Sequence, residues 1–482
     1  MRICFLSAEM TPFAKAGGLA DVSAALVKYL HAAGHDIRLF LPGHASIRRE
    51  ALEIYPVAFL QDVSVTVGTR EFVFSVQTAR LPGSQAMVYL VDCPEVFSVP
   101  ALYTAAPDEY RRYLLFTHAA FLSCQRMGFA PQIMHANDWH TAVAPLWLKS
   151  VYRWDRLFTA TRSVFTIHNL AYQGILGPAE APEVLAGAGP ELLHQDDLKA
   201  GRINLMRLGL VYADLLTTVS PTYAREIQTP AYGEGLDDTL RARSGALVGI
   251  LNGVDYEEWD PRNDERLPRR YGANQLGVKA GLKQEFLGRM ELQGAERRPL
   301  IGMITRLATQ KGVDLLFNSL PALLAARDFN LVVLGTGEPQ YEAFFTALAQ
   351  QHAGRVAFHR GYSDELAHWI EAASDMFLMP SRYEPCGLNQ MYSLRYGTVP
   401  IVRRTGGLAD SVQQFDAATG LGTGIVFNDY NEQAVSWAIG AALDLYQQKG
   451  AWRRLVQNGM AQDFSWNRQV QLYVSAYERL AP

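Results

Sequence analysis

The 482 residues are too many for one hydrophobic core, so we expect two α/β domains. Hydrophobic residues make up 49% of the chain and charged residues 19%, which is typical of a globular protein, and we find no apolar run of the roughly 20 residues that a membrane helix needs. The net charge of −4 argues against a nucleic-acid-binding protein, and the four cysteines lack metal-ligand spacing, which indicates a reduced cytoplasm and no structural zinc.

The chain opens with a predicted βαβ unit that has a long first loop. Residues 3–6 are a buried strand, residues 19–26 have helical spacing, and residues 37–41 are the next strand. The loop ends in Gly17 and Gly18. Residues 61–94 alternate apolar and polar side chains and predict antiparallel hairpins.

Two polar clusters follow the next predicted strands. Asp138 follows a strand that ends near His135, and His168 follows a strand over residues 163–167. A position at a loop mouth favours a functional role for Asp138 and His168, whereas we interpret His135 as structural. His135, Asp138 and His140 raise the question of a metal, but no further cluster completes a ligand shell, so we predict no metal.

The second predicted domain begins after a charged segment, residues 257–270. Before it, Ser220 and Pro221 have the pattern of an N-cap and first helical residue. In the second domain, Arg306 and Lys311 flank a loop after the strand over residues 299–304. They fit a clamp on a diphosphate, and equally fit solvated surface cations.

The remaining chemistry is concentrated in residues 377–412, which read as strand, loop, helix, strand, glycine loop and helix. In an open parallel sheet, ligands bind beyond the carboxyl ends of the strands, so Glu384 and the Thr405–Gly407 amides should face one cleft. Glycines before a helix let backbone approach a phosphate, and the helix N-terminus adds roughly half a positive charge. This predicts a nucleotide-sugar site; the alternative is a solvated glutamate beside a tight turn. Residues 406–411 repeat residues 17–22 almost letter for letter, which indicates two similar half-molecules.

These motifs together resemble the bacterial glycogen synthases and plant starch synthases, in order and over nearly the whole chain. The stretches that carry the resemblance are residues 15–22, 135–140, 168–174, 219–224, 252–255 and 382–388, with Arg306 and Lys311 between the last two.

The resemblance implies the GT-B fold, an α/β architecture of two Rossmann-like domains facing a deep cleft. We place an acceptor-side domain at 1–256, a donor-side domain at 257–464, and a C-terminal helix at 465–482 that packs back on the first domain. The implied reaction moves glucose from ADP-glucose to the non-reducing end of an α-1,4-glucan with retention, in the cytoplasm, without a metal or other cofactor. The implied partners are ADP-glucose and the glucan, without nucleic acid or membrane, and the oligomeric state stays open.

The resemblance also implies roles for individual residues. The predicted catalytic residues are Glu384, Asp138, His168, Arg306 and Lys311. The predicted donor-binding residues are Lys15, Gly17, Gly18, Asn252, Arg306, Lys311, Tyr362, Glu384, Cys386, Gly387, Leu388, Thr405, Gly406 and Gly407. The predicted acceptor-binding residues are Asp138, Trp139, His140, Tyr172 and Gln173.

The chain departs from the family pattern at three places. Ala16 and Asn389 stand where the family usually has threonine, and residues 97–103 lack the usual basic residue and glycines. Two alternatives remain: the same fold with UDP-glucose as donor, and a non-catalytic glucan-binding relative. For the mechanism, we favour front-face attack with the leaving phosphate taking the acceptor proton, and a double displacement through Glu384 or Asp138 stays open.

Overall fold

A mainly parallel sheet forms the centre of each of the two units into which the chain divides. The computed structural model describes residues 1–104, 106–294 and 298–480. The first unit contains Met1–Gly253 and the segment from Trp466 onward, and the second contains Val254–Ser465. In the part of the chain that the structure describes, no helix is both long and apolar enough to span a bilayer.

The sheet of the first unit has ten strands, in the order β12-β11-β8-β7-β1-β2-β6-β5-β3, with β4 paired to β5. The neighbours from β12 to β6 are parallel, and β3, β4 and β6 each pair with β5 in the antiparallel sense. Its ten strands are β1 Arg2–Leu6, β2 Asp36–Pro42, β3 Ile54–Pro56, β4 Val63–Val67, β5 Arg70–Arg80, β6 Met87–Asp92, β7 Ile133–Asn137, β8 Arg162–Ile167, β11 Leu215–Thr218 and β12 Leu247–Gly249. The short strands β9 Ile175–Leu176 and β10 Ile203–Asn204 pair with each other in a separate antiparallel sheet. The antiparallel hairpins predicted for residues 61–94 are confirmed, although β6 also continues the parallel sheet through β2.

Burial explains this division of the first sheet. Strand β1 is buried at four consecutive positions, as expected for a parallel strand covered on both faces, whereas β4 alternates buried and exposed residues. The helices of this part of the chain are α1 Gly18–Ala32, α2 Pro94–Phe97, α3 Glu109–Arg126, α4 Val143–Lys149, α5 Ala181–Leu185, α6 Gln195–Lys199, α7 Leu205–Tyr212, α8 Pro221–Glu226 and α9 Asp237–Ala242. Ser220 caps α8 by accepting from the N–H of Tyr223, as its position before Pro221 predicts.

The second unit has a six-stranded, wholly parallel sheet in the order β15-β14-β13-β16-β17-β18. Its strands are β13 Leu300–Leu307, β14 Asn330–Gly337, β15 Val356–Arg360, β16 Met376–Met379, β17 Val399–Arg403 and β18 Ile425–Phe427. Its helices are α10 Leu276–Arg289, α11 Leu316–Ala326, α12 Pro339–Gln351, α13 Asp364–Ala373, α14 Asn389–Tyr396, α15 Gly406–Ser411, α16 Glu432–Gln447 and α17 Lys449–Met460. Gly397 ends α14 with φ +72°, so the predicted helix over residues 389–396 is confirmed at both ends.

The last helix, α18 Trp466–Glu478, belongs to the first unit. Trp466, Val470, Tyr473 and Tyr477 are buried in the core that contains β1 and α1. The hydroxyl of Tyr477 lies 2.7 Å from Nδ1 of His135, a fully buried residue of β7. The helix therefore contributes both apolar surface and a buried hydrogen bond to this unit.

Candidate functional site

The loop between β1 and α1 presents an open face in the first unit. Gly17 is the N-cap of α1 with φ −152°, which is extended backbone, and helix α1 begins at Gly18. A methyl group added to either glycine meets no atom within 4 Å. Lys15 extends from the same loop, with Nζ 2.8 Å from Oδ1 of Asp21. The neighbours within the protein therefore do not explain why two glycines stand here, and the space above them suits a ligand.

Glu9 organises this loop from below, and sequence reasoning missed it. The side chain is buried, and its Oε2 accepts from the N–H groups of Ala16 at 2.6 Å and Gly17 at 2.8 Å. Its Oε1 accepts from the hydroxyl of Tyr103. The signal available in the sequence is a carboxylate placed three residues after a buried strand and just before a glycine loop. That signal is weak because such loops often carry solvated acids.

Asp138 follows β7 in an unusual backbone conformation, with φ +53° and ψ −177°. Positive φ at a non-glycine residue is uncommon and often marks a functional position. Its Oδ1 accepts from the backbone N–H of His168 at 2.7 Å. Burial raises the pKa of Asp138 to about 7, against the opposing effect of the backbone hydrogen bonds from His168 and Asn169. The carboxylate thus changes charge near neutral pH.

His168 is held as a neutral ring of one tautomer. Its Nε2 lies 2.8 Å from Oδ1 of Asn137, whose amide nitrogen donates to the carbonyl of Leu6. Since the amide nitrogen of Asn137 faces the carbonyl of Leu6, its oxygen faces the imidazole ring. Nε2 of His168 therefore carries the hydrogen and donates it, and Nδ1 is an acceptor. Burial lowers the pKa of His168 to about 3, so the ring is neutral at physiological pH. The structure thus brings Asp138 and His168 together, as their strand-end positions suggest.

The predicted acceptor residues after Asp138 differ in their exposure and in their contacts. His140 is buried and stacks on the ring of Tyr103 at a centroid distance of 5.1 Å, and Trp139 packs beside it. Tyr172 is 52% exposed, so its ring is open to solvent. The amide of Gln173 instead donates to two backbone carbonyls and accepts from the side chain of Asn204, so its hydrogen bonds are used within the fold.

Asn252 lies just after the short strand β12, at the end of the first unit. Its side chain is buried, and among the described residues no donor lies within hydrogen-bond distance of its Oδ1. A buried amide oxygen without a donor is costly, so this atom suits a ligand or a water molecule.

In the second unit, one of the two predicted phosphate cations meets the predicted sugar carboxylate. Arg306 lies on β13 rather than in the following loop, and it donates to the side chain of Gln310 at 3.1 Å. Lys311 follows in a short turn, with Nζ 2.6 Å from Oε2 of Glu384. Glu384 is buried, and Ser381 donates to the same oxygen at 3.0 Å. Lysine and carboxylate are thus adjacent at the carboxyl end of the sheet.

The second glycine pair is needed for a different reason from the first. Gly406 has φ +43°, and a methyl group there overlaps the carbonyl oxygen of Glu384. A methyl group on Gly407 overlaps the carbonyl oxygen of Cys386, and the N–H of Gly407 donates to that of Glu384 at 3.1 Å. These glycines allow α15, which follows the buried Thr405, to touch the loop that carries Glu384.

The other predicted donor residues surround this loop. Tyr362 is 65% exposed, and its hydroxyl donates to the carboxylate two residues later at 3.2 Å. Cys386 is buried, Gly387 has φ +69°, and Leu388 is the N-cap residue of α14. Asn389 donates to a backbone carbonyl of β13 at 3.0 Å, which ties the start of α14 to the central strand.

One cluster of acidic and histidine side chains in the described ranges has a spacing compatible with a shared ion: Glu258, Asp364 and His368. Arg266 already bridges its two carboxylates, with Nε 2.5 Å from Asp364 and a terminal nitrogen 3.3 Å from Glu258. A guanidinium already pairs with both carboxylates, so this cluster does not support a metal site. The expectation of a metal-free reaction stays a prediction.

Comparison with known families gives matches to both halves of the chain. Residues 2–242 match the family model described as the starch synthase catalytic domain, and residues 289–459 match the model described as glycosyl transferases group 1. A glycogen synthase from Anaeromyxobacter dehalogenans is 43% identical over 488 residues, covering 100% of both chains.

Two solved structures are similar to this chain. The catalytic domain of starch synthase IV from Arabidopsis thaliana, bound to ADP and acarbose, superposes with a TM-score of 0.92 at 33% identity, covering 100% of this chain and 99% of that one. The sucrose-phosphate synthase from Thermosynechococcus elongatus superposes with a TM-score of 0.61 at 18% identity, covering 99% and 98%, and supports the fold alone.

Proposed function

Since the chain belongs to the glycogen and starch synthase family of glycosyltransferases with the GT-B fold, we propose that it transfers glucose from ADP-glucose to the non-reducing end of an α-1,4-glucan. The proposal includes retention of the anomeric configuration. The full-length similarity to a glycogen synthase supports a glycogen-type acceptor, and the ADP bound by the starch synthase neighbour supports adenosine diphosphate as the nucleotide.

The observation that carries the proposal is the contact between Lys311 and Glu384. In a nucleotide sugar, the glucose ring and the second phosphate are joined through one oxygen. A protein that recognises both must therefore place a cation for the phosphate beside a hydrogen-bonding group for the sugar hydroxyls. Lys311 Nζ and Glu384 Oε2 lie 2.6 Å apart at the carboxyl end of the second sheet, where open α/β folds bind ligands.

The same contact bears on the mechanism. Oε2 of Glu384 is ion-paired with Lys311 and accepts from Ser381, which fixes the carboxylate beside the cation proposed for the phosphate. A nucleophile for double displacement must instead point at the anomeric carbon with a free lone pair. We propose front-face attack, in which the acceptor hydroxyl passes its proton to the leaving phosphate while Arg306 and Lys311 stabilise the charge that develops there.

In the first unit, Asp138 and His168 are suited to the hydroxyls of a sugar. An ionised Asp138 accepts a hydrogen bond, and Nδ1 of His168 is an acceptor because Nε2 carries the hydrogen. We assign both residues to orienting glucose and acceptor hydroxyls in the proposed reaction.

The test is incorporation of labelled glucose into glycogen from ADP-glucose and, separately, from UDP-glucose. We expect incorporation from ADP-glucose, lost in Glu384→Ala, with an α-linkage in the product by NMR. Incorporation from UDP-glucose alone would replace the proposed donor and keep the reaction. Tight glycogen binding without incorporation from either donor would instead indicate a glucan-binding protein.

A further inference from the structure

Glu9 is a buried carboxylate in the loop between β1 and α1, and its hydrogen bonds hold that loop in place. Three neutral donors reach it: the N–H groups of Ala16 and Gly17 and the hydroxyl of Tyr103. Its backbone is fixed as well, because the hydroxyl of Ser7 donates to its carbonyl at 2.7 Å. Hydrogen bonds to a charged acceptor are about twice as strong as neutral ones, so Glu9 determines the position of the two amides.

This arrangement changes how the glycine loop can bind an anion. The amides of Ala16 and Gly17 point at Glu9, so a phosphate cannot use them without displacing a buried carboxylate. The outer face of the loop stays open, because an added methyl at Gly17 or Gly18 meets no atom within 4 Å. One face of the loop is thus held by the carboxylate of Glu9, and the opposite face, at the start of α1, is open.

Tyr103 connects this loop to the predicted acceptor residues. Its hydroxyl donates to Glu9, while its ring stacks on His140 with an interplanar angle of 27°. Burial raises the pKa of Tyr103 and lowers the pKa of His140 to about 3, so the phenol stays a donor and the imidazole stays neutral over the working pH range. The residues 97–103, which depart from the family pattern, therefore end in a contact with the glycine loop.

We propose that Glu9 is a positioning residue for donor binding, which holds the glycine loop in the shape that receives the diphosphate of the nucleotide sugar, and that Tyr103 orients Glu9 for this task. The inference rests on the proposed function. It assigns Tyr103 to the donor side of the reaction, although its ring lies against a residue predicted to bind the acceptor.

The kinetic test compares Glu9→Gln, Tyr103→Phe and the double variant. Glutamine keeps the shape but replaces one acceptor oxygen with a donor, so KM for ADP-glucose should rise about tenfold, with kcat changed less than about twofold, as expected for losing a charge-assisted hydrogen bond. Tyr103→Phe should raise the same KM by about threefold and leave the KM for glycogen unchanged. The double variant should be no worse than Glu9→Gln, because Tyr103 acts through Glu9.

A matched control is Tyr110→Phe, which removes another tyrosine–glutamate hydrogen bond of the same unit, to Glu183 at 3.0 Å. It should leave both KM values unchanged. The proposal is wrong if Glu9→Gln leaves the KM for ADP-glucose unchanged. It is also wrong for Tyr103 if Tyr103→Phe raises only the KM for glycogen, or if the effects of the two substitutions multiply in the double variant.

A second measurement separates this inference from the proposed function. Hydrogen exchange of the peptide spanning residues 10–19, without any substrate, includes the amides of Ala16 and Gly17. Their exchange should be faster in Glu9→Gln and in Tyr103→Phe, whether or not the wild type transfers glucose, and unchanged exchange in both would overturn the positioning role. If Glu9→Gln does not fold, Tyr103→Phe alone carries both measurements.

Discussion

The pKa of Asp138, raised by burial to about 7, predicts how activity depends on pH. If the ionised carboxylate orients sugar hydroxyls, kcat/KM should fall as the pH drops through about 7, because protonation removes the acceptor. Asp138→Asn should be slower by about 10²-fold or more and should lack this limb of the pH profile. We choose asparagine because the strained φ of +53° is better tolerated by asparagine than by alanine. If kcat/KM of Asp138→Asn still falls as the pH drops through about 7, the fall is due to a group other than Asp138.

The raised pKa of Asp138 also predicts how the stability of the fold depends on pH. In the unfolded chain an aspartate has a pKa of about 3.9, so between about pH 4 and pH 7 the folded protein binds the extra proton. Stability attributable to Asp138 therefore falls as the pH rises through this window and stays low above it. The Tm of Asp138→Asn should exceed that of the wild type most at about pH 8, and the gap should close toward about pH 4.

Calorimetry of the wild type and Asp138→Asn at several pH values between about 4 and 8 checks this. A gap between Asp138→Asn and wild type that is the same at both ends of the window would contradict a raised pKa in the folded state.

The two glycine pairs predict opposite outcomes for the same chemical change. Gly17→Ala adds a methyl group that meets no protein atom, so the fold should be unaffected while ADP binding weakens by about tenfold where a ligand needs that space. Gly406→Ala places the methyl on the carbonyl of Glu384 at φ +43°, so stability should fall by about 2–4 kcal/mol. Titration calorimetry with ADP and thermal unfolding separate the two effects. Normal ADP affinity in Gly17→Ala would remove this loop from the donor site.

Sequence reasoning at this scale found residues whose position in a βα unit carries information. Asp138, His168 and Glu384 each follow a strand, and the folded chain brings the first two together and places the third against Lys311. It did not find Glu9, because the partners of Glu9 are backbone amides and a tyrosine 94 residues away, and amides carry no signature in the sequence. The repeat of Gly-Gly indicated two similar half-molecules, but the contacts of the two pairs differ: the first has an open face, and the second allows a close backbone approach.

At the scale of elements, buried strands were predictable because parallel strands appear as short apolar runs between turn residues. The boundaries of the strands were less predictable. Arg306 was expected in a loop but lies on β13, because eight residues of β13, including Arg306, pair with β14. Helices α1 and α15 begin at glycines rather than at the leucines that follow, because glycine has a low helix propensity and masks the start of a helix.

Helix α18 makes a prediction of its own, through the hydrogen bond of Tyr477 to His135. Burial lowers the pKa of His135 to about 3, so its ring is neutral, and Nδ1 pairs with the tyrosine hydroxyl while Nε2 lies 2.6 Å from Oγ1 of Thr166. Tyr477→Phe leaves a buried nitrogen without its partner, which should cost about 1–3 kcal/mol of the free energy of unfolding. Leu472→Ala on the same helix, at a half-exposed position, should cost less than about 0.5 kcal/mol. Denaturant unfolding of both variants measures the contrast, and equal losses would mean that α18 is held by apolar contact alone.

For the whole molecule, composition and length predicted two α/β domains without membrane or nucleic-acid features, because these properties depend on sums over many residues. The number of strands in each sheet and their order did not follow from the sequence. Strand order depends on which buried runs pair, and β13, β14 and β16 are almost interchangeable as apolar segments. The resemblance to a family supplied what periodicity lacks, namely which loops act on one substrate.

That assignment can be tested across the chain by hydrogen exchange with and without saturating ADP. We expect protection in the second unit after β13, β16 and β17, at residues 307–312, 380–388 and 403–407, because those loops carry Lys311, Glu384 and the start of α15. We also expect protection at residues 15–18 of the first unit, and none at the β4–β5 turn, which serves as an internal control. Lys311→Ala should reduce the protection at every one of these loops, because a bound ligand protects only in proportion to its occupancy.

Protection from exchange that is confined to the second unit would remove Lys15 and Gly17 from the donor site while keeping ADP as the nucleotide. Protection at none of the loops would contradict ADP as a ligand of this protein.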